Sequence, residues 1–197
     1  MPKKGRGAGE KLDPLKLPTL LKTALEALYG HYEKTYKLWE EAGTKVPPCF
    51  IVVCNNTATS KLIYDYISGF HQQNEDGTST LQNGRLALFR NYDESTGNPL
   101  PRPNTLLIDS EQLESGEALD KDFRAMAEDE IERFRREIIE RKRDARAADN
   151  LSDQDLLREV MNTVGKADQL GAGIRCVVSV SMLTEGWDAN NVTHVLG

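Results

Sequence analysis

Leu20, Leu21, Ala24, Leu25, Leu28 and Tyr32 recur at steps of three and four residues, and Tyr36 and Trp39 extend the same stripe. That period predicts an amphipathic helix from Thr19. Its end is expected near Gly43, because Pro47 and Pro48 cannot continue it. The next run, Phe50-Ile-Val-Val-Cys54, is apolar without alternation. A strand of that kind is buried on both faces and belongs inside a parallel sheet covered by helices. It leads through Asn55-Asn-Thr-Ala-Thr-Ser60 into a second stripe, Leu62, Ile63, Tyr66, Ile67 and Phe70, which predicts another helix. Strand, polar turn and helix form the half-step of an α/β sheet.

Residues 71–84 are polar and contain Gly, which predicts a loop. Leu86–Phe89 and Thr105–Ile108 are short strand candidates on either side of Pro99, Pro101 and Pro103. From about 117 to 147 the chain is dense in charge, with nine acidic and nine basic residues between Leu119 and Arg146. Phe123, Ala127, Ile131, Phe134 and Ile138 keep a helical stripe beneath those charges. The pairs Glu132–Arg136 and Glu137–Arg141 have the order that supports a helix. The expectation is a helix packed on the domain, with Arg141-Lys-Arg143 on its solvated face in first place and a nucleic-acid contact there as the less favoured alternative. Ser152-Asp-Gln-Asp155 resembles a capping box ahead of a helix through Leu156, Leu157, Val160 and Val164. Ile174–Val180 and Val192–Leu196 are two further strand patterns.

Composition narrows the class. The 197 residues suit one sizeable domain, or one domain with an insertion. Hydrophobic content of 39% with 28% charged residues fits a soluble chain with a core. No run approaches the roughly 18 apolar residues of a membrane span, and the start lacks a signal-peptide stretch. A cytoplasmic protein with no membrane partner is expected. Residues 1–18, rich in Lys, Gly and Pro, read as a flexible linker whose Lys3, Lys4 and Arg6 suit a solvated tail first and a phosphate contact second. Cys49, Cys54 and Cys176 cannot make a disulfide framework. Neither they nor His31, His71 and His194 have metal-ligand spacing, so no metal site is expected. A net charge of −6 speaks against a broad basic nucleic-acid surface. It leaves room for a protein that grips phosphates with hydroxyls and backbone N–H groups.

The most informative stretch is Arg175-Cys-Val-Val-Ser-Val-Ser-Met-Leu-Thr-Glu-Gly-Trp-Asp188, followed by Asn190-Asn-Val-Thr-His-Val-Leu196. A buried strand here delivers Ser179, Ser181 and Thr184 to its carboxyl end. Gly186 then permits close backbone approach, and Asp188 follows. In open α/β sheets ligands bind at the carboxyl ends of the strands. Hydroxyls suit phosphate oxygens there, and a carboxylate suits ribose hydroxyls.

Thr184-Glu-Gly-Trp-Asp188 resembles motif V of superfamily 2 helicases. Its spelling through Leu196 is closest to the Res subunits of type III restriction enzymes. Phe50-Ile-Val-Val-Cys-Asn-Asn-Thr57 resembles the motif IV strand and turn of the same motor lobe. The resemblance covers roughly residues 20–197. It implies a three-layer α/β lobe of RecA-like type with a mainly parallel sheet, a long N-terminal helix and a charged helical insertion at about 110–173. It also implies that the lobe, spanning 19–197, is cut before motif VI. Gly186 and Asp188 would approach the ATP ribose. Ser181 and Thr184 would track the nucleic-acid backbone, with Ser179 as the alternative register, and Asn56 and Thr57 would touch a phosphate. Asn56 and Thr57 also suit a plain helix cap, and Trp187 and Met182 suit packing.

The implied activity is that of the second lobe of an ATP-driven DNA translocase. Its partners would be DNA, the first motor lobe of the same polypeptide and a modification (methyltransferase) subunit. ATP and Mg²⁺ belong to the complete motor and are not expected on this chain alone, and no catalytic residue is assigned to it. Gly165-Lys166-Ala167 is no P-loop, since no Ser or Thr follows and a helix precedes it. Asp109 and Asp93-Glu94 lack a phosphate loop before them and are not expected to bind Mg²⁺. Two other classes compete. A Rossmann-type nucleotide-binding enzyme would want a Gly-rich turn after its first strand, which Asn55–Ser60 lacks. A non-catalytic interaction module would instead dock through the 117–147 helix.

Overall fold

Helix α1 (Thr19–Glu41) buries Leu25 and Tyr32, two members of the stripe that predicts it, together with Tyr29 from outside that stripe. The computed structural model describes residues 13–115, 118–181 and 187–197. The helix closes at Gly43, whose φ of +68° lets the N–H groups of Ala42, Gly43 and Thr44 return to carbonyls of the last turn. Tyr32 then fixes the helix to the sheet. Its hydroxyl donates to the Pro48 carbonyl at 2.7 Å, and its ring meets Phe50 and Phe89.

The sheet has four parallel strands in the order β4 (Thr105–Asp109), β5 (Cys176–Val180), β1 (Cys49–Cys54) and β6 (Val192–Leu196). Strands β4 and β5 are buried at every position, as their unalternating apolar runs require. From β1 the chain passes beyond β5 to β4 through helix α2 (Thr57–Ser68), then returns to β5 through four helices. These are α3 (Ser110–Glu114), α4 (Lys121–Met126), α5 (Glu128–Lys142) and α6 (Asp153–Asn162). The two crossovers run in opposite directions, so their right-handedness puts them on opposite faces of the sheet. The result is the expected three-layer α/β fold, and the charged insertion is the β4-to-β5 crossover. Among the described residues no helix is long and apolar enough to cross a membrane.

Three local expectations change. Residues 71–84 are not a plain loop: β2 (Gly69–Gln73) and β3 (Ser79–Asn83) pair as an antiparallel hairpin. Most of its side chains are polar and exposed, and only Phe70 and Leu81 are apolar, so no hydrophobic alternation marks it. Leu86–Phe89 is not a strand but encloses a 3-10 turn at Ala87–Phe89. Its Leu86 and Phe89 are buried, and the Tyr29 hydroxyl accepts from Leu88 N at 3.0 Å. The 117–147 segment is two helices, α4 and α5, separated at Ala127. Phe123, Ala127, Ile131, Phe134 and Ile138 are all buried, so the stripe survives the break. Half of the capping box forms: Ser152 Oγ accepts from Asp155 N at 3.0 Å, while the Asp155 carboxylate accepts from the Ser152 hydroxyl at 2.6 Å and not from its backbone N–H.

Charged α5 is held by a buried polar cluster at the β4 edge. Asn91 Oδ1 accepts from the backbone N–H groups of Asn104 (2.8 Å) and Thr105 (2.9 Å). Its Nδ2 donates to the Thr105 carbonyl and the Tyr64 hydroxyl, both at 2.9 Å. Tyr64 in turn donates to the Glu130 carboxylate. The amide of Asn91 thus occupies backbone groups that a neighbouring strand would otherwise take. Burial pushes the Glu130 carboxyl above its ordinary range, against the opposing pull of the Tyr64 hydrogen bond and the Arg133 cation. An acid whose folded-state pKa lies above its unfolded value contributes stability below the unfolded pKa and loses it as pH rises through the folded one. Glu130→Gln keeps an acceptor for Tyr64 but removes this titration. Thermal melts should show the variant gaining on the wild type as pH rises from about 4 towards 8. A constant difference across that window would contradict the assignment.

Candidate functional site

Strands β1 and β5 are parallel neighbours, with Phe50 opposite Cys176 and Cys54 opposite Val180. The segments that follow them therefore leave the sheet side by side at its carboxyl edge, where open α/β sheets bind ligands. Ser181 N donates to the Cys54 carbonyl at 2.9 Å and ties the two exits together. The sequence separates Asn56 from Ser181 by more than a hundred positions, and the topology brings them to one edge.

On the β1 side, Asn56 is extended and caps α2, its Oδ1 accepting from Thr59 N at 2.8 Å. Its Nδ2 donates to Asn55 Oδ1 at 2.7 Å. The capping role is therefore filled. Thr57 opens the helix and is half-buried. Its N–H and that of Ala58 belong to the first turn, where no intrahelical acceptor exists.

On the β5 side the hydroxyls differ. Ser179 is fully buried, with its Oγ 2.9 Å from Ser110 Oγ and donating to the Ser181 carbonyl at 3.0 Å. It supports the strand end from inside the core. Ser181 is half-buried, and its hydroxyl donates to Glu111 Oε1 at 3.1 Å. Its φ of +63° lies in the left-handed region, uncommon for a residue other than Gly. Thr184 and Gly186, like Met182, lie outside the described residues. Beyond them Trp187 is a packing residue as expected, its indole N–H donating to the Met161 carbonyl at 2.8 Å. Asp188 is exposed, and no hydrogen bond or ion pair engages its carboxylate among the described residues.

The edge contains two residues that no sequence motif marked, Ser110 and Glu111. Both follow β4 directly, so the same carboxyl-edge rule would have found them once β4 was placed in the sheet. None of the segments 55–60, 109–115 and 179–191 contains Lys or Arg. A phosphate here would meet neutral donors and the N-terminus of α2, beside the carboxylates of Glu111 and Asp188.

The acids and the Gly-Lys pair set aside in the sequence have structural uses. Asp109 caps α3, accepting from Gln112 N at 3.2 Å and Gln112 Nε2 at 2.9 Å. Asp93 ties its turn by accepting from the hydroxyls and N–H groups of Ser95 and Thr96, which hold its carboxyl down at about 2. Gly165 has φ +76°, and a Cβ there would stand 2.3 Å from Asn191 Oδ1. Burial pushes the thiols of Cys49 and Cys54 up to about 12 and 11, which removes them as nucleophiles. No family model, curated protein or solved structure matches the chain.

Proposed function

We propose that this chain is the second motor lobe of a superfamily 2, ATP-driven DNA translocase of the kind found in type III restriction Res subunits. One observation carries the reading. The motif IV-like turn after β1 and the motif V-like segment after β5 leave adjacent parallel strands at a shared carboxyl edge. In the complete cytoplasmic motor a first lobe would close on this edge over ATP and Mg²⁺, with DNA along the lobes and a modification subunit as a further partner. Such closure is a gating motion driven by binding energy.

The residue types at this edge suit those ligands. Asp188 presents a carboxylate with no partner among the described residues, as a ribose contact requires. Gly186 would allow the nucleotide close to the backbone. Thr57, the first N–H groups of α2, Ser181 and Thr184 would take phosphate oxygens of the DNA backbone, while Asn56 shapes the turn. Ser179, enclosed by Ser110, would position Ser181 rather than touch a phosphate.

Phosphoryl transfer requires a phosphate-loop Lys, metal-binding acids and a charge-neutralising Arg assembled together. This sequence has no P-loop pattern, Asp109 is committed to a helix cap and Asp93 to a turn. The chain by itself should bind duplex DNA weakly and with a shallow salt dependence, because the strand-end segments contain no Lys or Arg, and should turn over no ATP with or without DNA. Fluorescence anisotropy and a coupled ATPase assay on one preparation test both. Turnover that survives repurification and depends on a residue of this chain would overturn the half-motor reading.

A further inference from the structure

We propose that Glu111 sets the nucleic-acid affinity of the strand-end surface by holding the Ser181 hydroxyl and competing with a backbone phosphate for it. The proposal rests on the reading of this edge as nucleic-acid-facing.

Glu111 stands in the first turn of α3, placed by the Asp109 cap immediately after β4. Its carboxylate accepts the Ser181 hydroxyl at 3.1 Å, and no other side-chain contact engages it among the described residues. Ser181 is held on every side. Its N–H goes to Cys54, its carbonyl accepts from Ser179, and its backbone is left-handed. A serine hydroxyl has one proton. While Glu111 takes it, Ser181 offers only lone pairs to an approaching phosphate oxygen, beside a full negative charge. The segments 55–60, 109–115 and 179–191 supply no Lys or Arg to offset that charge. For Ser181 to grip a phosphate it must change partner, and Glu111 must be displaced or neutralised.

The position of Glu111 is itself governed by the β4-to-β5 crossover. Gln154 of α6 donates to the Gln112 carbonyl at 2.7 Å, and Arg158 donates to the Leu113 carbonyl. A movement of α6 would thus carry α3 and its carboxylate relative to the strand end. Affinity for the DNA backbone and the packing of the charged crossover are linked through one hydrogen bond.

Glu114 supplies the control. It lies on the same short helix, is exposed and does not contact Ser181. Binding of fluorescein-labelled duplex DNA to the full chain would be followed by anisotropy at low salt. Glu111→Ala should bind about three- to tenfold tighter than wild type, and Glu114→Ala should stay within about twofold. In a Ser181→Ala background the extra gain of Glu111→Ala over Glu114→Ala should vanish, since the two residues act through one contact. If wild type binds but Glu111→Ala matches Glu114→Ala, the competition is wrong and the nucleic-acid reading stands. If neither wild type nor Glu111→Ala binds DNA at low salt, the competition falls together with that reading.

Discussion

Replacing Asp188 by alanine in a complete motor is expected to lower kcat/KM for ATP by roughly 10- to 150-fold, the range for losing a hydrogen bond to a charged group. The melting temperature should hardly move, because this exposed carboxylate has no partner among the described residues. That combination distinguishes a ligand contact from a structural one. A carboxylate that capped the turn before β6 would cost about 1 kcal/mol of stability on removal, with unchanged kinetics in the folded fraction. Measuring melting and DNA-stimulated ATP hydrolysis on the same preparation separates the two. Unchanged kinetics in a folded Asp188→Ala motor would remove the nucleotide from this edge.

The second large effect lies in the polar cluster at β4. Asn91→Ala should destabilise the chain by about 3–5 kcal/mol, lowering the melting temperature by on the order of 10 °C. The Asn91 side chain serves the N–H groups of Asn104 and Thr105, the Thr105 carbonyl and the Tyr64 hydroxyl. Alanine leaves several of these buried groups without partners, each costing far more than a hydrogen bond normally contributes. Asn91→Asp preserves two acceptors but loses both donations, and adds a charge beside buried Glu130. It should be no better than alanine near neutral pH. A loss below about 1 kcal/mol for Asn91→Ala would mean that water replaces the side chain and that α5 is held by its apolar stripe alone.

Much of this fold is visible in the chain because its elements announce themselves locally. The α1 stripe, the unalternating β1 and β5 runs and the Ser152 capping box each carry their signal within a few residues. The hairpin at 69–83 escapes because its mostly polar strands, with one apolar side chain each, show no alternation. The turn at Ala87–Phe89 escapes because Leu86 and Phe89 are apolar for the sake of the core, not of a strand neighbour. The break at Ala127 escapes because the stripe from Phe123 to Ile138 runs on across it.

The candidate site divides in the same way. Polar turns after buried strands are legible, and they mark Asn56, Thr57 and the Ser179–Asp188 segment. Which hydroxyl faces out is not legible. Simple alternation puts Ser179 and Ser181 on one face, but the left-handed backbone at Ser181 turns it away from the Ser179 environment. Glu111 is beyond local reading, since its contact with Ser181 spans 70 residues and exists only because β4 and β5 are neighbours.

If the carboxyl edge of β1 and β5 is the surface that meets nucleic acid, DNA should shield the two strand exits from solvent. Hydrogen–deuterium exchange on this chain, with and without duplex DNA at low salt, tests it most directly. The account predicts added protection at 55–60 and from 179 to 188, with helix α1 and the β2–β3 hairpin unchanged. Protection confined to α5 or to the hairpin, with the two strand exits exchanging as in the free chain, would contradict it.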